Sequence, residues 1–371
     1  MANILDYLDW RGDLQISERG FNEVDNLLLA ELCYLDFGGI VPPGFDAPVP
    51  LQEAMRRYDV LREHESMGVL VPDQIPELGR RMAASARFSG LLLCGYENKI
   101  DDETQTQFSA LTLLLPDGTA YVAFRGTDDT IVGWKEDFNL AFLPVVPAQR
   151  MAVQYLQAAA AAFSERPLRV GGHSKGGNLA VYSAVFCSEA VQNQLMQVYN
   201  NDGPGFDAEV IALPGYQRIC ARVQTFVPQS SIVGMLLEHE EAYTIIHSTG
   251  DGFGQHNLYT WEVLRDRFVT LETVTNGSRF LDRTLKQWLA GLEPEQRERT
   301  IDTVYHMLCE TNAETLHELK ENRFSRALAL LRSAKGLDED TRKLLVHAAG
   351  VFFRSAGRSL KQARVPDEQE S

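Results

Sequence analysis

The sequence predicts an α/β fold in which a mostly parallel sheet carries helices on both faces, followed by a helical C-terminal appendage. The first observation is an alternation of short apolar runs with helical or loop sequence, which implies crossover connections between parallel strands. The second is a glycine-rich turn directly after one of these runs. The third is the helical periodicity of residues 276–363, broken at 291–294 and at Gly336.

The predicted elements begin with two helices, 27–34 and 52–64, separated by a loop with paired glycines and prolines. From residue 89 the pattern predicts a β-meander, because apolar runs are separated by a turn at Pro116-Asp117-Gly118. The remaining elements are strands at 90–96, 108–115, 120–124, 168–172, 195–199, 223–227, 243–247 and 268–274, and helices at 151–163 and 178–188.

The chain divides into three predicted parts. Residues 1–88 form an N-terminal helical and loop segment that packs on the core, 89–275 form the α/β core, and 276–371 form the helical appendage. The 371 residues are long for one ordinary domain, which agrees with a core that carries additions. Hydrophobic residues make up 44% and charged residues 23%, as in average globular proteins, so a disordered or fibrous class is excluded.

The net charge of −16 argues against nucleic acid and anionic membrane surfaces as partners, because it repels both. The N-terminus, MANILDYLDWRGDLQ, carries acids where a signal peptide carries basic and then apolar residues. Apolar runs such as 90–96 are far shorter than the roughly 20 residues that span a bilayer. We therefore expect a cytoplasmic protein without an integral membrane segment.

The five cysteines give no indication of a metal site or a disulfide framework. They are odd in number and none is spaced as CxxC. Buried or half-buried free thiols are the expected state. The cysteines are Cys33, Cys94, Cys187, Cys220 and Cys309. We expect no metal and no organic cofactor.

The most informative stretch, 170–180, contains GxSxG as Gly172, Ser174 and Gly176, between a predicted strand and a helix. A nucleophile elbow needs this pattern, because it holds its serine at a strained backbone angle where side chains two residues away would collide. The helix that follows directs its N–H groups toward the oxyanion formed in acyl transfer, which makes the amide of Lys175 a candidate donor. The alternative is a structural glycine turn with an idle serine.

A second stretch, 121–129, reads YVAFRGTDD and is followed by Trp134 and Phe138. Together with the elbow it resembles the class 3 lipase family of the α/β-hydrolase superfamily, and the whole is similar to an uncharacterised bacterial branch related to it. The resemblance is best over 89–261. It implies that Thr127 supplies the other half of the oxyanion hole and that 130–143, with both aromatics, forms a mobile lid. Core packing is the alternative for Trp134 and Phe138.

The chain order of the family places the catalytic histidine last, after the final core strand. His256 lies in a loop after the strand 243–247 and is similar to the family's DHxxY-like segment. His247 is the reserve candidate, and a purely structural role for His256 is the third reading. His173 is expected to pack at the elbow instead of acting as the base.

The catalytic acid is where the sequence departs from the family. The matching position holds Ser231, which cannot stabilise an imidazolium by charge. Asp202 follows the strand directly after the nucleophile helix, where pancreatic-type lipases place their acid, and is the leading candidate. Asp251 and Asp207 are minor candidates, and a turn aspartate before Gly203 is the structural alternative.

These residues predict a serine hydrolase that cleaves a carboxylic ester, with a small-molecule ester or lipid-like acyl compound as substrate. The motifs leave two alternatives open. One is a thioesterase or peptidase, because the elbow does not disclose the leaving group. The other is a catalytically silent binding or scaffold protein, suggested by Ser231 at the acid position and by the long helical C-terminus.

Overall fold

The computed structural model describes residues 1–62, 71–101, 103–104, 106–128, 136, 140, 145–231, 233–234, 237–250 and 252–275. The predicted appendage 276–371 lies outside these residues, as does Cys309. In the described part of the chain, Cys33, Cys94 and Cys187 are buried free thiols and Cys220 is a half-buried one. No helix in these ranges combines the length and apolar character needed to cross a membrane.

The strands at the two edges of the main sheet have only two residues each, and the strands between them are longer. They are β1 Val49–Pro50, β2 Leu92–Asp101, β3 Thr106–Leu114, β4 Ala120–Phe124, β5 Leu168–His173, β6 Leu195–Asn201, β7 Val223–Pro228, β8 Tyr243–Ile246, β9 Val263–Leu264, β10 Arg267–Phe268 and β11 Thr270–Leu271.

The helices lie before the meander and between the later strands. They are α1 Ile4–Arg11, α2 Glu23–Leu32, α3 Leu51–Leu61, α4 Ile75–Ala84, α5 Pro147–Ala162, α6 Lys175–Phe186, α7 Glu189–Gln194, α8 Ala208–Ile211 and α9 Pro214–Ile219. Short 3-10 helices occupy Cys220–Arg222, Gly252–His256 and Leu258–Thr260.

Within the described residues, nine strands form one mixed sheet in the order β1-β2-β3-β4-β5-β6-β7-β8-β11. Strands β1 to β4 pair antiparallel, as the predicted meander requires, and β4 to β8 pair parallel. The predicted fold class is therefore confirmed for the core: the chain has an α/β-hydrolase-type sheet. Strands β9 and β10 form a separate hairpin.

The order of the parallel strands explains why the N-terminal helices are needed. Strands β4 to β7 follow one another in chain order, so right-handed crossovers put the helices between them on one face. Helices α5 and α6 pack there with Val122, Phe124 and Val170. The neighbouring Tyr121 and Ala123 point to the other face, where they share a core with helices α1 to α4.

Several element boundaries differ from the predictions. Helix α2 begins four residues before predicted position 27, because Asn22 caps it: its side chain accepts from Asp25 N, and the Asp25 carboxylate accepts from Asn22 N at 2.9 Å. Helices α1 and α4 were not predicted. The β-like run predicted at 268–274 is strand only in part: Phe268 ends β10 and Thr270–Leu271 form β11, and these two-residue strands belong to different sheets.

A buried ion pair holds the N-terminal segment together. The guanidinium of Arg87 contacts both carboxylate oxygens of Asp25, at 2.6 and 2.5 Å, and both side chains are fully buried. The same guanidinium donates to the carbonyls of Leu14, Arg19 and Gly20. One cation therefore fixes helix α2 and the loop that precedes it.

Replacing Arg87 by methionine is expected to lower the free energy of unfolding by about 3–5 kcal/mol, because the charge of Asp25 stays buried without its partner. Urea denaturation measures the change. The matched control is Arg80→Met, which breaks an exposed pair with Asp59 and is expected to cost about 0–1 kcal/mol. Equal losses in the two variants would contradict this account of the N-terminal segment.

Candidate active site

Ser174 sits in a strained turn between β5 and α6. Its backbone has φ 57° and ψ −130°, a conformation that residues with a side chain rarely adopt. The turn is closed by two glycines. A Cβ on Gly172 would lie 2.4 Å from the carbonyl of Gly176, and one on Gly176 would lie 2.1 Å from the carbonyl oxygen of Phe124. The GxSxG stretch therefore has the backbone geometry that a nucleophile elbow requires.

Ser174 and Asp202 follow the carboxyl ends of adjacent parallel strands. The amide of Ser174 donates to Asn201 O at 3.0 Å, and that of Asp202 donates to Phe226 O at 2.8 Å. These bonds carry the ladder one residue past the ends of β5 and β6. His256 ends the 3-10 helix that follows β8 and its loop. The topology thus brings all three residues to one edge of the sheet, where ligands of open α/β sheets bind.

The carboxylate of Asp202 contacts the imidazole of His256 directly. Oδ2 of Asp202 lies 2.7 Å from Nδ1 of His256. The Asp202 side chain is 1% exposed and that of His256 is 17% exposed. A neutral imidazole that donates from Nδ1 to a carboxylate keeps its basic lone pair on Nε2, so the contact selects one tautomer.

Ser231 occupies the position that matches the acid of the class 3 lipases. It forms a hydrogen bond with Asp202. Its hydroxyl donates to Oδ1 of Asp202 at 2.5 Å, and the amide of Gly234 donates to the same oxygen at 3.2 Å. A Cβ on Gly234 would lie 2.4 Å from Oδ1, so this approach requires glycine. The two oxygens of Asp202 are therefore divided between the imidazole and the turn that contains Ser231.

Thr127 lies in the loop that passes over the elbow. The preceding Gly126 packs so closely that a Cβ there would come 3.2 Å from Cβ of Ser174 and 2.6 Å from the carbonyl oxygen of His173. Thr127 is 8% exposed, and its hydroxyl has no hydrogen-bond partner among the described residues. Arg125 braces the loop by an ion pair with Asp128 at 2.9 Å.

His173 packs beside His256 within a buried polar cluster. Its ring centroid lies 4.5 Å from that of His256, and its Nε2 is 3.0 Å from the His256 carbonyl oxygen. Its Nδ1 is 3.3 Å from the Tyr34 hydroxyl and 3.5 Å from Oε1 of Glu31. Burial, reinforced by the neighbouring His256, holds the pKa of His173 well below its usual range. His173 is therefore neutral and supports the backbone of His256.

Glu31 is a fully buried carboxyl whose two oxygens have no hydrogen-bond partner in the described part of the chain. Burial raises its pKa to about 8. Near neutral pH the group is mainly protonated, so its contact with His173 is not a salt bridge. Glu31 was not among the predicted site residues, because it lies on α2, far from every motif.

The other candidates lie elsewhere. Nδ1 of His247 contacts Oε2 of Glu262 at 2.7 Å, and Asp207 is an exposed residue that precedes α8. Asp251, Trp134 and Phe138 lie outside the described residues. In the ranges that are described, no group of three or more His, Cys, Asp or Glu side chains could hold a metal ion.

A family model described as Mbeg1-like matches residues 82–306. A comparison with curated proteins finds no match. Among solved structures, lipase II from Rhizopus niveus is 13% identical with a TM-score of 0.39, covering 74% of this chain and 89% of that one. A variant of MDLA from Penicillium cyclopium is 12% identical with a TM-score of 0.37, covering 68% and 86%. A complex of Rhizomucor miehei lipase with its propeptide is 19% identical with a TM-score of 0.31, covering 43% and 57%. These scores are too low to support any inference about chemistry.

Replacing Glu31 by glutamine is expected to stabilise the protein increasingly as pH rises. The folded pKa of about 8 lies above the usual 4.5, so unfolding releases a proton between these values and stability falls across that window. The uncharged variant lacks this loss, and its advantage should grow by about 3–4 kcal/mol between pH 5 and pH 8.

Thermal unfolding of wild type and variant from pH 5 to pH 8 measures the difference. Glu165→Gln, at an exposed position, is the control and should show a flat difference. A Glu31→Gln difference that is equally flat would mean that Glu31 is ionised in the folded protein.

Proposed function

We propose that the chain, which belongs to the Mbeg1-like family because that family's model matches more than half of its 371 residues, is a serine hydrolase acting through an acyl-enzyme on Ser174. The proposed substrate is a carboxylic ester, either a small-molecule ester or a lipid-like acyl compound. The observation that carries the proposal is the 2.7 Å contact between Asp202 and His256 at the strand edge that presents the Ser174 elbow.

In the proposed acylation step, Nε2 of His256 takes the proton of the Ser174 hydroxyl as its oxygen attacks the ester carbonyl. The imidazolium then gives this proton to the leaving alkoxide, and the alcohol departs. Asp202 stabilises the charged ring because it is itself held by Ser231 and Gly234. Water, activated by the same histidine, attacks the acyl-enzyme and releases the acid, which restores Ser174.

The proposed oxyanion hole has two sides. The Lys175 amide is the first N–H of α6, where the helix dipole favours negative charge. The amide of Thr127 forms the other side, and its unpartnered hydroxyl is a second donor from the same residue. Donors that are fixed before the charge develops account for a large share of the rate enhancement in acyl transfer.

Asp202 bears on the choice between an enzyme and a silent scaffold. The scaffold reading was motivated by Ser231, since a serine cannot support an imidazolium by charge. The contact of Asp202 with His256 removes that motive and favours the enzyme. A thioesterase or peptidase remains the alternative within the same mechanism. Rates on matched p-nitrophenyl ester, thioester and anilide substrates would distinguish the three leaving groups.

The lid and the three-part division of the chain are also proposals. Two described residues of the segment 130–143, Glu136 and Leu140, are buried. A lid formed by this segment would therefore keep Glu136 in place; in the sequence Trp134 precedes Glu136 by two positions and Phe138 follows it by two. Residues 1–88 are proposed as part of the hydrolase unit, since their helices share a core with the sheet.

Ser174→Ala is expected to abolish hydrolysis of a short p-nitrophenyl ester and labelling by a fluorophosphonate probe. The loss should be about 10⁴-fold or more, because no other group can form the acyl-enzyme. The control is Ser183→Ala, on the same helix, whose hydroxyl donates to Ala180 O and is no part of the proposed triad. Labelling that persists in Ser174→Ala would place the nucleophile elsewhere.

Asp202→Asn is expected to lower kcat by about 10² to 10⁴ with a smaller change in KM, because the imidazole loses both its orientation and its charge support. Ser231→Ala should cost far less, about tenfold or below, since the Gly234 amide still holds the carboxylate.

Steady-state kinetics on the ester measure both effects, with Asp207→Asn as the exposed control. A larger loss for Ser231→Ala than for Asp202→Asn would show that Asp202 is not the catalytic acid.

A further inference from the structure

The side chain of Lys175, the residue directly after Ser174, is buried to 1% exposure. Its ammonium lies 2.9 Å from Oε2 of Glu136 and 2.9 Å from the carbonyl oxygen of Gln107. It also donates to the side-chain oxygen of Gln107. The three donors of the ammonium thus meet three acceptors, and none of them is a group of the proposed triad.

Glu136 is fully buried and uses both carboxylate oxygens. Oε2 accepts from the amide of Gln107 at 3.1 Å as well as from Lys175, and Oε1 accepts from the amide of Ala148 at 3.1 Å. Ala148 lies in the first turn of α5, where a carboxylate is favoured by the helix dipole. One carboxylate therefore joins strand β3, helix α5 and the start of helix α6.

Gln107 connects this cluster to the loop that carries Thr127. It stands three residues before Ala110, which pairs with Phe124 at the end of β4, so it lies beside the residues that follow β4. Its Nε2 is 3.4 Å from the carbonyl oxygen of Gly126. Lys175 thus stands at one end of the cluster, and the residue before Thr127 stands at the other.

We propose that Lys175, Gln107 and Glu136 are positioning residues that fix the amides of Lys175 and Thr127 relative to each other, so that the oxyanion hole is formed before substrate binds. The meaning of these amides as an oxyanion hole rests on the function proposed above. The fixed relative position of the two amides does not rest on that function, because it depends only on the contacts of the cluster. The ammonium is buried and bonded to Gln107 and Glu136, so in this proposal it acts through the position of its own backbone.

Stability alone does not account for such a cluster. Removing one partner of a buried ion pair is costly, but replacing both by apolar side chains of similar volume is often neutral or stabilising. A charged, fully bonded cluster has a geometric consequence that an apolar one lacks, since each donor and acceptor has a required direction. The proposal therefore predicts that neutral replacements fold and yet lose rate.

Two variants test it. Gln107→Met keeps the volume and the charges of the cluster but removes the side-chain link to Gly126. The double variant Lys175→Met and Glu136→Met removes both charges together and keeps the amide of residue 175. The matched control is Gln192→Met on α7: the buried side-chain amide of Gln192 donates to the carbonyls of Ala184 and Val185, at the other end of α6, and to that of Gly215.

Three measurements are made on each protein: kcat and KM for a p-nitrophenyl ester, thermal unfolding, and hydrogen exchange of the Thr127 and Lys175 amides. We expect Gln107→Met and the double variant to lower kcat by about 10- to 100-fold, with KM nearly unchanged. This loss is no larger than the one expected from removing one oxyanion donor. Exchange at Thr127 should be faster in both. Gln192→Met should lose thermal stability while it keeps kcat and the exchange rate at Thr127.

The outcomes separate this proposal from the proposed function. If wild type hydrolyses the ester and folded Gln107→Met keeps wild-type kcat and exchange, the positioning proposal is overturned and the function stands. If wild type is inactive and unlabelled by fluorophosphonate, the proposed function fails. In that case, hydrogen exchange of the Thr127 amide still tests the positioning proposal. Unchanged exchange in the variants overturns it, and faster exchange supports it.

Discussion

The strained backbone at Ser174 is the constraint on which the rest of the site depends. Such a conformation costs about 1–3 kcal/mol and persists only where the surroundings determine it. Here Gly172 and Gly176 let two backbones meet, and Gly126 lets the next loop pass over the serine. On the far side, Gly203 lies against the carbonyl of Ser174 so closely that a Cβ would come within 2.3 Å. Ser174 is half-buried and is held at the strand edge because the segments that carry Gly126 and Gly203 close around its turn.

The sheet topology connects this constraint to the N-terminal helices. Successive right-handed crossovers place helices on one face of the sheet only. The apolar side chains of Tyr121, Tyr199 and Phe226 on the opposite face therefore need another part of the chain to cover them. Helices α1 to α4 provide that cover, and the Arg87 ion pair with Asp25 holds α2 in place. Because Asn26 of α2 also contacts Asn201 at the end of β6, the cover reaches the residue just before Asp202. The segment before the meander is therefore part of what positions the site.

The sequence predicted what is encoded locally and missed what arises between distant segments. GxSxG needs only five residues, and apolar runs with turn residues between them located β3 to β8 to within a few residues. The face covered by α1 to α4 could not be predicted, because strands buried on both sides look alike whichever helices cover them. Glu136 and Glu31 gave no signal for the same reason. A buried carboxylate is recognised by its partners, and those of Glu136 lie 12 to 39 positions away along the chain.

Positions 202 and 231 show how the residue at one position can restrict the residue at another. Neighbouring parallel strands are about 4.8 Å apart, so side chains after β6 and in the turn after β7 can both approach one histidine. The Ser231 hydroxyl lies 2.5 Å from Oδ1 of Asp202. A carboxylate at position 231 would face that oxygen at similar range, and two carboxylates so close cannot both ionise. Aspartate at 202 and a neutral donor at 231 therefore belong together: position 231, which matches the acid position of the class 3 lipases that the chain resembles, here donates a hydrogen bond to the Asp202 carboxylate.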